Sequence, residues 1–378
     1  MEKLGRKIVK LRIPIFIISI LLLIPATIGY INTRVNYDIL SYLPDDIETM
    51  KGQDILVNEF GTGAYSMFIC EGMENKDVAA LKQKIEDVEH VSKVVWYDSL
   101  MDISVPMEML PEEVRTAFNS DDSTMMFIIF DTTTSADETM EAIGDIRHIA
   151  GKQCFLSGMS AVVTDTKNLA ESEITIYVVI AVILSSIVLA LTMETYLIPV
   201  FFLLNIGMAI LYNMGTNILT GEISYITKAL CAVLQLGVTM DYSIFLWHSY
   251  QEKKGIYGND HKEAMAQAIA ATIKSVVGSS ITTIAGFVAL CFMSFTLGLD
   301  LGIVMTKGVV FGVLCCVTVL PSMIMIFDKA LEKTAHRQLI PDFPKVSEFI
   351  VKHHVLFAVV FVLLFVPFAY FQANTPVY

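Results

Sequence analysis

Charge is scarce in this sequence. Only 17% of its 378 residues are charged and 54% are hydrophobic, whereas a water-soluble chain carries about a quarter charged residues. The shortage excludes an ordinary soluble globular protein. No Gly-x-x-x-x-Gly-Lys-Ser/Thr pattern occurs, which argues against a pump driven by ATP at a P-loop. The six cysteines form no Cys-x-x-Cys pair and no Cys/His spacing suited to zinc. Lys and Arg are absent from the short stretches 215–224 and 296–301. No catalytic constellation is present, so neither an enzyme nor a cofactor is expected.

What is abundant is long apolar runs. A span needs roughly 20 mostly apolar residues, and seven runs qualify: 13–30, 174–193, 197–214, 226–247, 276–295, 302–327 and 355–371. Basic residues near span ends mark the cytoplasmic side. They fall in three places: Lys3 to Arg12, Lys253 to Lys274, and Lys329 to Lys352. Counting spans from a cytoplasmic amino terminus puts all three inside, so a multi-pass protein of the cell membrane is expected, with 31–170 outside. That outer segment holds 25 acidic and 10 basic residues, while the rest of the chain is nearly balanced. The formal net charge of −13 therefore belongs to the outer part and speaks against a nucleic-acid partner, which needs a basic face.

Period and turn signals divide the outer segment into helix 47–60, strand 64–70, helix 76–89, strand 92–97, a short helix 111–118, strand 124–131, helix 136–149 and strand 153–156. The helix at 76–89 carries Val78, Leu81, Ile85 and Val88 on one face. Strand, helix, strand, strand, helix, strand is the ferredoxin-like split unit. Its first and last strands lie side by side, which brings Cys70 near Cys154 and leaves a disulfide open. The organisation expected is a tail and first span at 1–30, an outer α+β domain at 31–170, a bundle of five spans at 171–330, and a linker with a seventh span at 331–378.

The fourth run contains Asp241. An ionised carboxylate inside a lipid span costs a few kcal/mol, so this side chain either exchanges a proton or locks two helices together. Lys228, Gln235, Thr239 and Tyr242 share one helical face, although Tyr242 also suits plain aromatic packing. On the fifth span Ser275, Ser279, Thr282 and Gly286 form a second stripe, with Thr283 beside it. Two such stripes facing each other would hold water; small residues also promote close helix packing. Lys307, near the outer end of the sixth span, is expected to snorkel.

Residues 7–35 align without a gap on 349–377, with nine of 29 positions identical, among them Pro25/Pro367 and Asn32/Asn374. The seventh span thus repeats the first, and internal repeats are frequent in secondary transporters. Several motifs then carry a family resemblance: Tyr42-Leu-Pro-Asp-Asp with Glu59-Phe-Gly, Leu236-Gly-Val-Thr-Met-Asp-Tyr-Ser-Ile-Phe-Leu, Ser279-Ser-Ile-Thr-Thr-Ile-Ala-Gly-Phe, and Leu320-Pro-Ser. Over essentially its whole length the chain resembles the amino-terminal half of an RND-superfamily transporter of the MMPL type.

The resemblance implies an RND-type helix bundle with a porter domain, twelve spans in two repeats, and export of lipids or other hydrophobic cargo driven by proton entry. It places the proton relay on Asp241 and Tyr242. Gln235, Thr239, Ser279, Thr282 and Thr283 are the polar residues expected to support it. Hydrophobic or lipidic cargo, protons, membrane lipid and a second transporter half or oligomer partner are the partners implied. Two other readings remain: a lipid-sensing or scaffold protein, because the five-span cluster also resembles sterol-sensing domains, and an accessory factor in protein secretion.

Overall fold

The computed structural model describes residues 1–60, 64–99, 111–336 and 344–375. Gly61 of the Glu59-Phe-Gly motif, Arg337 and the last two residues of the repeat region, Pro376 and Val377, lie outside these. Helix α1 (Glu2–Lys10) precedes the first span, α2 (Arg12–Asn32). The next segment runs β1 (Arg34–Asn36), α3 (Glu48–Phe60), β2 (Ala64–Glu71), α4 (Asn75–Glu86), β3 (Val91–Val95), α5 (Glu112–Phe118), β4 (Asn119–Ser120), β5 (Ser123–Phe130), α6 (Asp137–Ile149) and β6 (Cys154–Ser157). The helical cluster follows as α7 (Met159–Thr192), α8 (Leu197–Gly215), β7 (Glu222–Ser224), α9 (Tyr225–Tyr257), α10 (His261–Leu290) and α11 (Leu297–Ile326). The chain continues through α12 (Asp328–Lys333), α13 (Pro344–Lys352) and α14 (His354–Ala373). Among the described residues seven helices, α2, α7 to α11 and α14, are long and apolar enough to cross a membrane, one for each apolar run.

Three of those helices outrun or shift from the runs that announced them. Helix α7 begins at Met159, well before the run at 174, because its first turns belong to the α+β part. Ser160, Ala161, Val163 and Thr164 are buried there, and Ser160 Oγ donates to the Tyr65 carbonyl at 3.2 Å. Helices α9 and α10 meet in a short turn at Gly258 and Asp260. Asp260 caps α10 by accepting the Glu263 N–H at 3.1 Å, and Ala264, Met265, Ala268 and Ile269 are buried below it. Hydropathy sees only what lipid would touch; these extensions are amphipathic and held by packing.

In the α+β segment the strands order as β3-β5-β2-β6, every neighbouring pair antiparallel. Strand β2 alternates buried and open positions, the period-2 signature of a sheet with one covered face. That face carries Phe68, Met126, Ile128 and Phe130, against Val78, Leu81 and Ile85 of α4 and Ala142, Ile143 and Ile146 of α6. Trp96 is fully buried among them, and its indole N–H donates to Thr124 Oγ1 at 2.8 Å, so the core's largest side chain leaves no orphaned donor.

The sequence did not announce the parallel pair β1–β7, in which Arg34, Val35 and Asn36 register with Glu222, Ile223 and Ser224. It ties the exit of α2 to the entry of α9. The Thr296 N–H and hydroxyl both reach the Tyr42 carbonyl, at 2.9 and 3.0 Å, and the Asp300 carboxylate accepts the Ser224 N–H at 3.0 Å. The short turns are thus knitted to the segment that follows the first span.

Helix α2 docks on α8 at backbone contact: a Cβ on Gly29 would strike the Gly215 carbonyl, and one on Gly215 the Ala26 carbonyl. Without a hydrophobic drive between helices in lipid, such small-residue approaches supply the packing. The repeat does not carry them over. Ser19, Ala26 and Gly29 correspond to Phe361, Phe368 and Phe371, and α14 buries none of its residues within this chain.

Cys70 and Cys154 register directly across β2 and β6. Both are free thiols with sulfurs 3.8 Å apart. Burial, and secondarily the neighbouring Cys154, pushes the Cys70 thiol up to about 12. Its thiolate is therefore nearly absent at pH 8 and grows as pH rises toward that value. Iodoacetamide is expected to modify Cys70 in the folded protein at least about a hundredfold more slowly than a thiol of ordinary pKa, as mass-spectrometric peptide mapping against a denatured control would read; equal rates would contradict the burial.

Candidate functional site

Helix α9 presents two chemically different faces. On the buried one lie Gln235, Thr239 and Tyr242. The Gln235 amide bonds through both of its polar atoms: Nε2 donates to the Gly308 carbonyl at 3.2 Å, and Oε1 accepts from Asn213 Nδ2 at 3.1 Å. Asn213 Nδ2 also lies 3.1 Å from Cys231 Sγ. Thr239 Oγ1 turns back to the Gln235 carbonyl at 2.6 Å. This junction of α8, α9 and α11 closes because α11 carries Gly308 and Gly312. A Cβ at Gly308 would stand 2.8 Å from Asn213 Nδ2 and 2.9 Å from Gln235 Oε1, and one at Gly312 would strike the Thr239 side chain.

Asp241 lies on the other face. It is exposed in this chain, as are Leu234, Gly237, Phe245 and His248 along the same flank of α9. On α10, Ser275, Gly278, Ser279, Thr282 and Gly286 are exposed and Thr283 is half-buried. The Thr282 and Thr283 hydroxyls donate to the Ser279 carbonyl at 2.7 and 3.3 Å. Helices α9 and α10 are antiparallel neighbours, so Asp241 and Ser275 to Ser279 stand at one depth, about 25 Å from the turn that joins them. The result is a small-residue face with one carboxylate on it.

The polar stripes expected to face each other therefore do not meet. Gln235 and Thr239 turn toward α8 and α11, while Ser279 and Thr282 point out of the chain. The physical reason is the amide: within lipid Gln235 needs both a donor and an acceptor, and Asn213 with the Gly308 carbonyl supply them. Tyr242, although adjacent to Asp241, packs inward beside Leu246 and Trp247.

Lys307 reaches the turn that follows α8, with Nζ 2.5 Å from Asn217 Oδ1 and 3.4 Å from Thr216 Oγ1. Three residues that hold the site went unread in the sequence: Asn213, and Gly308 with Gly312. The signals for them were there: an Asn inside a 19-residue apolar helix, and the small-x-x-x-small spacing of α11.

Replacing Gln235 by Leu removes the hydrogen bonds to Asn213 Nδ2 and to the Gly308 carbonyl, an expected loss of about 1–3 kcal/mol. Gly308→Val overpacks the same junction at a similar cost. Thermal unfolding of the purified protein in one detergent reads both, and unchanged midpoints in both variants would overturn this account of the junction.

A family model described as the MMPL family matches residues 49–353. A membrane protein of Methanocaldococcus jannaschii is 22% identical over 84% of this chain and 91% of its own length. The siderophore exporter MmpL5 of Mycobacterium tuberculosis is 25% identical over 52% of this chain, but only 22% of the exporter is covered. Among solved structures, SecDF in its super-membrane-facing form aligns over 86% of this chain and 39% of its own, with 14% identity and a TM-score of 0.45. With the model matching most of its length, this multi-pass membrane chain belongs to the MMPL family of transport proteins.

Proposed function

We propose that this chain works as the amino-terminal half of an RND-type exporter that moves lipids or other hydrophobic molecules out of the cytoplasmic membrane by letting protons in. Family membership supports transport. One observation carries the coupling: Asp241 stands on an exposed flank of α9, at the depth of the serines of α10. Asp241 is the proton carrier in this reading, and Tyr242, next in the chain, is its relay partner. Protonated, the carboxyl is neutral and the face it occupies is tolerated by lipid or by another helix. Ionised, it demands water or a polar partner and disfavours close contact by a few kcal/mol. A proton arriving and leaving therefore switches how tightly this face is covered.

The cover is a second transporter half or a second copy of the chain. Gly237, Gly278 and Gly286 leave room for a close helical approach, and the exposed hydroxyls of Ser279 and Thr282 offer hydrogen bonds to water or to a facing helix. Gln235 and Thr239 then act from behind, by locking α9 to α8 and α11 so that the switch moves a rigid body.

The basic segments support a cytoplasmic amino terminus and an α+β segment on the outside. Its sheet order, with first and last strands adjacent, supports a ferredoxin-like porter domain that guides cargo on the far side. The Mycobacterium tuberculosis relative, named for siderophore export, supports a hydrophobic or amphiphilic cargo.

The test is Asp241→Asn in the intact protein, reconstituted in vesicles with and without an imposed pH gradient. Gradient-driven release of a fluorescent lipid is expected to fall to the protein-free background, while insertion and thermal stability stay near wild type. Asp241→Glu is expected to keep part of the flux. Undiminished gradient-driven flux in the Asn variant would sink the proposal.

A further inference from the structure

Three cations at the basic end of the bundle have no carboxylate partner of their own. Arg12, Lys262 and Lys329 line a cavity of about 850 Å³ bounded by the start of α2, the start of α10 and the α11–α12 junction. None of the three forms an ion pair among the described residues; the Arg12 guanidinium donates only to the Val9 carbonyl, at 3.2 Å.

The negative groups nearby are already committed. Asp260 caps α10, and Glu263 is held by Arg6 at 2.8 Å. Asp328 accepts from the Tyr250 hydroxyl at 3.3 Å and pairs with His261 Nδ1 at 2.5 Å. The first residues of the 30-residue helix α10 form one wall, and a helix N-terminus adds a partial positive charge. Against the carboxylates of Asp260 and Asp328, the three cations leave the cavity a net formal charge of one positive, at the level where α2 begins its apolar run.

A second cavity, about 550 Å³, uses the same two helices. Its walls include Ile15, Ile18, Leu22 and Pro25 of α2 with Leu314 and Val319 of α11. The two helices are antiparallel, so Arg12 with Met325 and Ile326 sits below, and Ile15 with Thr318 and Val319 sits above. The hydroxyls in the upper cleft serve the protein itself: Ser19 donates to the Phe16 carbonyl at 2.8 Å, and Thr318 to the Leu314 carbonyl at 2.5 Å. What the cleft offers is hydrocarbon.

We infer that this end of the bundle binds an anionic glycerophospholipid, its phosphate among Arg12, Lys262 and Lys329 and its acyl chains along the cleft between α2 and α11. Basic pockets between helices at a membrane surface recognise such headgroups, and the cavity has the size of a small-ligand site. A zwitterionic lipid fits less well, because its ammonium adds a cation to a pocket that is already net positive, with Asp260 and Asp328 engaged in the α10 cap and with His261. The site is separate from the Asp241 face. Its test reads lipid binding rather than flux, so this inference and the transport proposal fail independently.

The experiment is native mass spectrometry of the delipidated full chain, titrated with phosphatidylglycerol, with phosphatidylcholine of the same acyl chains, or with glycerol 3-phosphate. Phosphatidylglycerol is expected to bind about tenfold or more tighter than phosphatidylcholine, with glycerol 3-phosphate not competing at equal concentration. Arg12→Gln with Lys329→Gln is expected to weaken phosphatidylglycerol about thirtyfold. Lys345→Gln with Lys352→Gln, an equal loss of charge on α13, is expected to leave it unchanged. Leu22→Trp, which fills the cleft without touching the cations, is expected to weaken both lipids.

Equal binding of the two lipids, or equal loss in the two double variants, would overturn the inference. Competition by glycerol 3-phosphate as strong as that of the lipid would assign the pocket to a soluble phosphate instead and overturn the lipid. Should the Arg12 variant fail to fold, Lys262→Gln alone, on an exposed position, is expected to weaken phosphatidylglycerol about fivefold, and no change there would overturn it as well.

Discussion

In lipid, a buried amide must find its partners inside the protein, and the Gln235 amide is the group around which this bundle is arranged. Its donor needs a backbone carbonyl and its acceptor needs a donor from a neighbouring helix. Gly308 supplies the first and Asn213 the second. The first contact forms only if α11 comes close enough, and α11 comes close because Gly308 and Gly312 have no side chains to hold it off. One hydrogen-bonded amide and two glycines thus set the mutual positions of α8, α9 and α11.

That choice gives α9 its asymmetry. With the amide face turned inward, the opposite flank must face outward, and Asp241 goes with it. The carboxylate is not sequestered within this chain; it is displayed at mid-bundle beside the small residues of α10. The membrane part is therefore closely packed on one flank of α9 and open on the other.

The two ends of the bundle are finished differently. At one end the turns are bound to the chain after α2 through β1–β7, the Tyr42 carbonyl and Asp300. At the other, α1 lies against α10, with Gly5 pressed on the Ala266 backbone, and gathers the cations around the start of α2. Helix α14 joins neither arrangement. It repeats the first span in sequence, yet it carries phenylalanines where α2 carries the Ser19, Ala26 and Gly29 that seat it on α8.

Much was legible in the sequence. Seven apolar runs announced seven long helices, because lipid solubility is a property of composition over about 20 residues. Period-2 and period-3.6 patterns announced β2, β5, α4 and α6, because each must bury one face. The motif around Asp241 was legible too, since an ionisable residue in an apolar run stands out by itself. The directions of the side chains were not legible. Periodicity put Gln235, Thr239 and Tyr242 on one face of α9, but a helical face is a relative angle, and the sequence does not say which neighbour it meets. Only the packing of α9 against Gly308, Gly312 and Asn213 decided that those residues turn inward and Asp241 outward. Hydrophobic period fixes what a helix can bury; the partners available to its polar groups decide which way it turns.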